Sequence, residues 1–212
     1  MTIHGRILRH FFALAIFGTM AAIPGPAAKA QEPTVPDFRH VRVDNPAKLS
    51  HKEAETIYQT ITDDLAAAFE SSGVPEIQGY TDWRRYNSAP YMSSTHGNRF
   101  INNYGNSASV GYDRLKKGDL MSLGSVLIKD SFAVTQQGAV IPGRLFVMEK
   151  LSAGSHPATG DWRYMMIGSD GMVIADTVGE TAKQAEFCHV CHKVRSSRDF
   201  LFYVPPDFRL PE

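Results

Sequence analysis

The chain has 212 residues, 43% of them hydrophobic, which is enough to bury the core of one domain. Lys plus Arg equals Asp plus Glu at 22 each, and with zero formal charge and no long basic run nothing points to nucleic acid or an anionic membrane surface as a partner. Only two cysteines occur, three residues apart, so no disulfide framework holds the fold.

The first thirty residues are written like an export signal. His4, Arg6, Arg9 and His10 precede the apolar run Phe11 to Ile23, and Ala28-Lys29-Ala30 is a small-residue cleavage site, so residues 1–30 are expected to be removed after Ala30 and the mature chain to begin at Gln31 in the periplasm. The run is too short for the roughly 20 residues that span a bilayer, and Pro24, Gly25 and Pro26 end it; no transmembrane segment is expected. Residues 31–49, with Pro33 and Pro36, read as an extended arm, and residues 50–212 as a single domain.

Ser50 three residues before Glu53 forms a capping box. Ala54, Ile57, Tyr58, Ile61, Leu65, Ala68 and Phe69 then recur at helical spacing up to the stop signal Gly73 and Pro75. Asp63 and Asp64 fall on the polar face of that helix. Beyond it the pattern changes to strands at Arg99 to Asn103, Ser125 to Thr135, Arg144 to Leu151, Trp162 to Ile167 and Met172 to Ile174, with turns at Gln137-Gly138 and Ser169-Asp170-Gly171. A short helix is expected at Gly111 to Lys117 and another at Thr181 to Lys193. The fold class is α+β: one antiparallel sheet of about five strands with packed helices and a C-terminal helix that carries both cysteines.

Cys188-His189-Val190-Cys191-His192 fits the c-type haem attachment pattern. Residues three and four apart share a helix face, so both thiols can reach the two vinyl groups on one porphyrin edge while His192 supplies the iron ligand. The export signal agrees, because such haem is attached outside the cytoplasm. Two rivals are weaker. A redox dithiol would place the cysteines at a helix start, and a structural zinc would need four ligands where only His189 and His192 accompany the pair.

At this motif the sequence resembles the cytochrome P-460 family, small c-type cytochromes that include hydroxylamine oxidisers and the sheet-type cytochromes c-prime. The resembling segments are Tyr80 to Arg99, Gly124-Ser-Val-Leu-Ile-Lys-Asp130, Gly160-Asp-Trp-Arg-Tyr164 and Asp199-Phe-Leu-Phe202. The resemblance implies one covalent haem c. It also implies a lysine bonded to the macrocycle, at Lys129, an arginine near the haem edge or a propionate, at Arg99, and a distal carboxylate acting as proton acceptor, at Glu149 beside Val147. Lys129 and Asp130 are adjacent and must point to opposite faces of their strand. His96 is a loop hydrogen-bonder or an iron ligand, and Met148, Met165 and Met166 are sulfur candidates for a sixth ligand. The activity implied is oxidation of hydroxylamine, or handling of nitric oxide, at an open haem site with a redox partner protein and a possible homodimer. The alternative is a non-catalytic cytochrome that binds a gas or carries electrons.

Overall fold

A computed structural model describes residues 42–210. The proposed signal, residues 1–30, and the arm up to residue 41 lie outside the described residues. Of the arm, residues 42–49 run without regular structure, tied down where Val43 N–H donates to the Gly97 carbonyl (2.9 Å) and Ala47 N–H to that of Val134 (2.7 Å).

Helix α1, His51–Glu70, begins at the capping box: Ser50 Oγ accepts from Glu53 N–H, and Glu53 accepts from Ser50 N–H at 2.8 Å. Its apolar stripe buries Ala54, Tyr58, Leu65 and Phe69, while Asp63 and Asp64 are exposed. Phe69 is fully buried, a contribution of roughly 1.5–3 kcal/mol from that side chain. Gly73, at φ +72°, ends the run ahead of Pro75.

Eight strands follow among the described residues: β1 Arg84–Arg85, β2 Tyr91–Ser93, β3 Arg99–Gly105, β4 Val126–Val134, β5 Val140–Pro142, β6 Leu145–Lys150, β7 Trp162–Ile167 and β8 Val173–Asp176. They form one antiparallel sheet in the order β1-β3-β4-β6-β7-β8, with β2 also on β3 and β5 also on β4. The five longest strands overlap the five segments expected from the sequence. The other three have two or three residues each, too few for a periodic signal, and exist because β3 and β4 offer open edges to pair with. No α-helix forms at Gly111 to Lys117. The segment is a string of turns, because Gly111 (φ +98°) and Gly118 (φ +93°) leave the helical region at either end.

Strand alternation splits the sheet into two unlike faces. Phe100, Tyr104, Val126, Ile128, Phe132, Leu145, Val147, Met165 and Ile167 pack against α1. Ile101, Leu127, Trp162 and Tyr164 face the other way, toward the C-terminal segment with Leu201 and Val204. Helix α2, Ala182–His192, lies beside β7 and β8, and a 3₁₀ stretch at Lys193–Arg198 follows it directly. No helix among the described residues is long and apolar enough to cross a membrane.

Candidate functional site

The face of the sheet turned away from α1 borders a cavity of about 260 Å³. One water needs only about 10–15 Å³, so the space suits a far larger guest. Two registered rows of the sheet supply one wall: Asn103, Lys129 and Phe146, then Leu127, Met148 and Tyr164. Cys188, Cys191 and His192 of α2 line the same cavity, as do Leu201, Phe202 and Tyr203 after it and Tyr91, Ser93 and His96 around β2.

The cysteines fall in the last two turns of α2, one turn apart, with Cys188 half-buried and Cys191 exposed. Burial pushes the Cys188 thiol up to about 12. A redox dithiol needs a depressed thiol pKa at a helix start, so neither geometry nor acidity favours that rival. Among the described residues no group of three His, Cys, Asp or Glu is placed to hold a metal, and the zinc reading finds no ligand set there.

His192 is buried, and its orientation is built by residues far away in sequence. Its Nδ1–H donates to the Phe200 carbonyl at 2.7 Å, which fixes the tautomer with the lone pair on Nε2. Phe200 can offer that carbonyl because Asp199 and Phe200 both adopt left-handed backbone, at φ +51° and +65°. Two such non-glycine residues together cost on the order of 1–3 kcal/mol each, so their surroundings must hold them. Asp199 Oδ1 accepts from Lys150 Nζ at 2.5 Å and Oδ2 from Met121 N–H at 2.8 Å, while its carbonyl accepts from Trp162 Nε1 at 2.9 Å. Gly160 completes the support, since a Cβ there would lie 2.1 Å from the Phe200 ring. Tyr164 and Phe202 present ring edges to the imidazole at 5.4 and 5.3 Å.

Lys129 faces the cavity and Asp130 faces α1. Burial brings the Lys129 amine down to about 8. Asp130 is fully buried among Tyr58 (2.5 Å), Tyr80 (3.2 Å) and Asn102 (3.0 Å), all donating to it; burial outweighs these bonds and raises its pKa. Arg99 lies on the cavity face of β3, two residues before Ile101, but outside the cavity lining; it is 9% exposed, and its Nη1 has no hydrogen-bond partner among the described residues.

Glu149 is not where a distal base would stand. It shares the α1 face of β6 with Leu145 and Val147, whereas Phe146 and Met148 face the cavity, and it accepts from Arg163 at 3.1 Å instead. Among the described residues no Asp or Glu lines the cavity. His96 does, with Nδ1 2.8 Å from Ser93 Oγ and its ring edge-on to Phe146 at 4.9 Å, so it combines the loop bond with a place on the cavity wall. Met148 faces the cavity, Met165 borders it from the α1 side of β7, and Met166 packs apart from it and accepts from Arg144.

Sequence reasoning missed Lys150, Asp199, Gly160 and Phe200, the support of His192. The Asp199-Phe-Leu-Phe202 and Gly160-Asp-Trp-Arg-Tyr164 segments hinted at Asp199, Phe200 and Gly160, without roles, and nothing singled out Lys150.

A haem fits what is present: an apolar, aromatic-lined cavity, two thiols one helical turn apart, an imidazole held in a coordinating tautomer, and a buried Tyr164 hydroxyl with no hydrogen-bond partner among the described residues. No curated protein matches the chain. A family model described as Cytochrome P460 matches residues 77–203, more than half of the chain, spanning the sheet, the cavity wall and the Cys-x-x-Cys-His helix and leaving α1 outside. On that match the chain belongs to the cytochrome P460 family and is a haem-binding cytochrome.

Proposed function

We propose that this is an exported, periplasmic cytochrome with one covalent haem c, held by thioether bonds from Cys188 and Cys191, with His192 as axial ligand and Lys129 as a third covalent tether. Its activity is oxidation of hydroxylamine, or processing of nitric oxide. The observation that carries this reading is the place of Lys129, on the same cavity as Cys188, Cys191 and His192, with an amine that burial keeps partly neutral near pH 8. Only a neutral amine is a nucleophile, so Lys129 is held in the form the tether needs; joining Nζ to a haem carbon would replace one N–H and one C–H bond, its two protons going to water and its two electrons to an external oxidant such as a peroxide.

The bound haem supplies a redox-active iron that takes a small nitrogenous ligand. The chain supplies the rest. His192 is held in one tautomer by Phe200, and the aromatic walls Tyr164, Phe146 and Phe202 limit water. Hydroxylamine oxidation releases protons as well as electrons. His96 is the base on the cavity wall best suited to accept them, in place of Glu149, and the electrons pass to an external redox partner. Export rests on the basic and apolar pattern of residues 1–30.

A second reading, a gas-binding or electron-transfer cytochrome, draws support from a cavity lined by Phe146 and Met148 and, among the described residues, by no carboxylate. Proteolysis and mass spectrometry separate the two. In the enzyme reading the Lys129 peptide is recovered joined to the haem peptide containing Cys188; a free Lys129 peptide in fully loaded protein favours the second.

A further inference from the structure

Behind the cavity wall made by Phe202 and Tyr203 lies a second cleft, lined by Arg195, Arg198 and Arg209 with no carboxylate among the described residues that line it. The guanidinium groups are held in place. Arg195 stacks on Phe202 (5.0 Å), Arg198 on Tyr203 (5.8 Å), and Arg209 Nε donates to the Val204 carbonyl at 2.8 Å. Stacking occupies the flat faces of Arg195 and Arg198 and leaves their N–H edges for an anion, which a planar fork takes best as a carboxylate. Phe202 touches Arg195 on one side and the edge of His192 on the other, so the cleft is one ring away from the axial ligand.

The surroundings extend the pattern. From Cys188 to Arg198 the chain carries Lys193, Arg195 and Arg198 and no acidic residue, although the whole protein is neutral. Val190 and Val194 stand beside them 56% and 74% exposed, and Gly118 N–H, bonded to the Ser197 carbonyl at 2.9 Å, brings the exposed Lys116 and Lys117 alongside. Asp113 and Asp119, whose charges reach Tyr203, and Asp207 are not among the residues that line the cleft, and Asp199, next to Arg198 in the chain, is paired with Lys150. A basic rim around exposed apolar side chains, next to the exposed Cys191, is the charge complement of an acidic protein surface.

We propose that the Lys193–Arg198 stretch and the Arg195, Arg198 and Arg209 cleft form the docking surface for an acidic electron-acceptor protein, with one of its carboxylates seated in the cleft. The proposal rests on the haem reading above. One electron passes from the ferrous haem to the acceptor, with no proton or bond exchanged.

The test uses reduced holoprotein and two one-electron oxidants of opposite charge, ferricyanide and tris(phenanthroline)cobalt(III). Between about 0.01 M and 0.15 M ionic strength the screening length falls from about 30 to about 8 Å. Oxidation by ferricyanide should then slow by roughly tenfold and oxidation by the cationic complex should quicken, even though the mature chain, without Arg6, Arg9 and Lys29, carries 19 Lys plus Arg against 22 Asp plus Glu. Arg195→Glu with Arg198→Glu should reverse both trends, Arg195→Gln with Arg198→Gln should flatten them, and Lys52→Glu, on exposed α1, should change neither. Poly-L-glutamate should compete with ferricyanide and protect Arg195 and Arg198 from phenylglyoxal, read by mass spectrometry, whereas acetate at equal carboxylate concentration should not. Rates indifferent to salt, or unprotected arginines, overturn the proposal, and equal competition by acetate makes the cleft a small-anion site instead. A preparation with no reducible chromophore fails the haem reading alone, because arginine protection needs no haem.

Discussion

Lys150 on β6 and Asp199 after the 3₁₀ stretch are 49 positions apart in sequence, yet their side chains, 8% and 1% exposed, form an ion pair of 2.5 Å. Lys150 also donates to the Gly160 carbonyl at 2.9 Å and lies over the Trp162 ring. The pair clamps the turn that delivers the Phe200 carbonyl to His192. Removing one partner strands a buried charge, so Asp199→Ala should cost about 3–5 kcal/mol in denaturant unfolding. Lys150→Met combined with Asp199→Asn should recover a good part of that, because replacing both partners removes the stranded charge. If the single variant unfolds like wild type, the pair does not hold the turn.

Gly160→Ala tests the same support from its other side. The position has φ +66° and an added Cβ would meet the Phe200 ring at 2.1 Å, so both backbone and packing resist it. We expect a loss of about 1–3 kcal/mol. The displaced Phe200 carbonyl should also disturb the imidazole, seen as a change in the absorption or magnetic resonance spectrum of the haem protein at full loading. An unchanged spectrum would separate Phe200 from the tuning of His192.

Lys129 gives a prediction in pH for the chain made without haem attachment. Its folded pKa, about 8, lies below the ordinary value of 10.5. Below pH 8 the amine is protonated in both states and its burial costs stability; between 8 and 10.5 only the unfolded state holds the proton, so stability rises with pH; above that the cost is gone. Lys129→Met should therefore be more stable than wild type at pH 7, by up to about 3 kcal/mol, with the gap closing toward pH 10.5. A gap that stays constant with pH would mean that Lys129 is not desolvated.

His96 and Glu149 are separated by turnover. With an artificial oxidant and hydroxylamine, His96→Phe should slow the reaction by about a hundred- to ten-thousand-fold at matched haem content, the usual worth of a positioned base. Glu149→Gln should leave the rate within about twofold, since that carboxylate pairs with Arg163 on the α1 side. The opposite ranking would return Glu149 to the mechanism. No turnover in wild type with several oxidants would move the protein to the gas-binding or electron-transfer reading.

Local chemistry made much of the fold legible in the sequence. The capping box and 3.6-residue period specify α1 almost to its ends, and the five long strands announce themselves by β-branched and aromatic residues between turn signals. Strands β1, β2 and β5 were not legible, because two or three residues carry no period and form only against a neighbour's open edge.

The sequence by itself determined the Cys-x-x-Cys-His helix and the rule that Lys129 and Asp130 face opposite ways, since both follow from the fixed geometry of one element. Which of the two faces the cavity was decided by tertiary packing. Helix α1 covers one face of the sheet with Tyr58 and takes Asp130 with it, which leaves Lys129 on the cavity side and Glu149 on the covered one. The same holds for His192. Its own motif places the imidazole on α2, but the carbonyl that selects its tautomer comes from a strained turn held by Lys150 and Gly160, contacts that exist only once strands distant in sequence have come together.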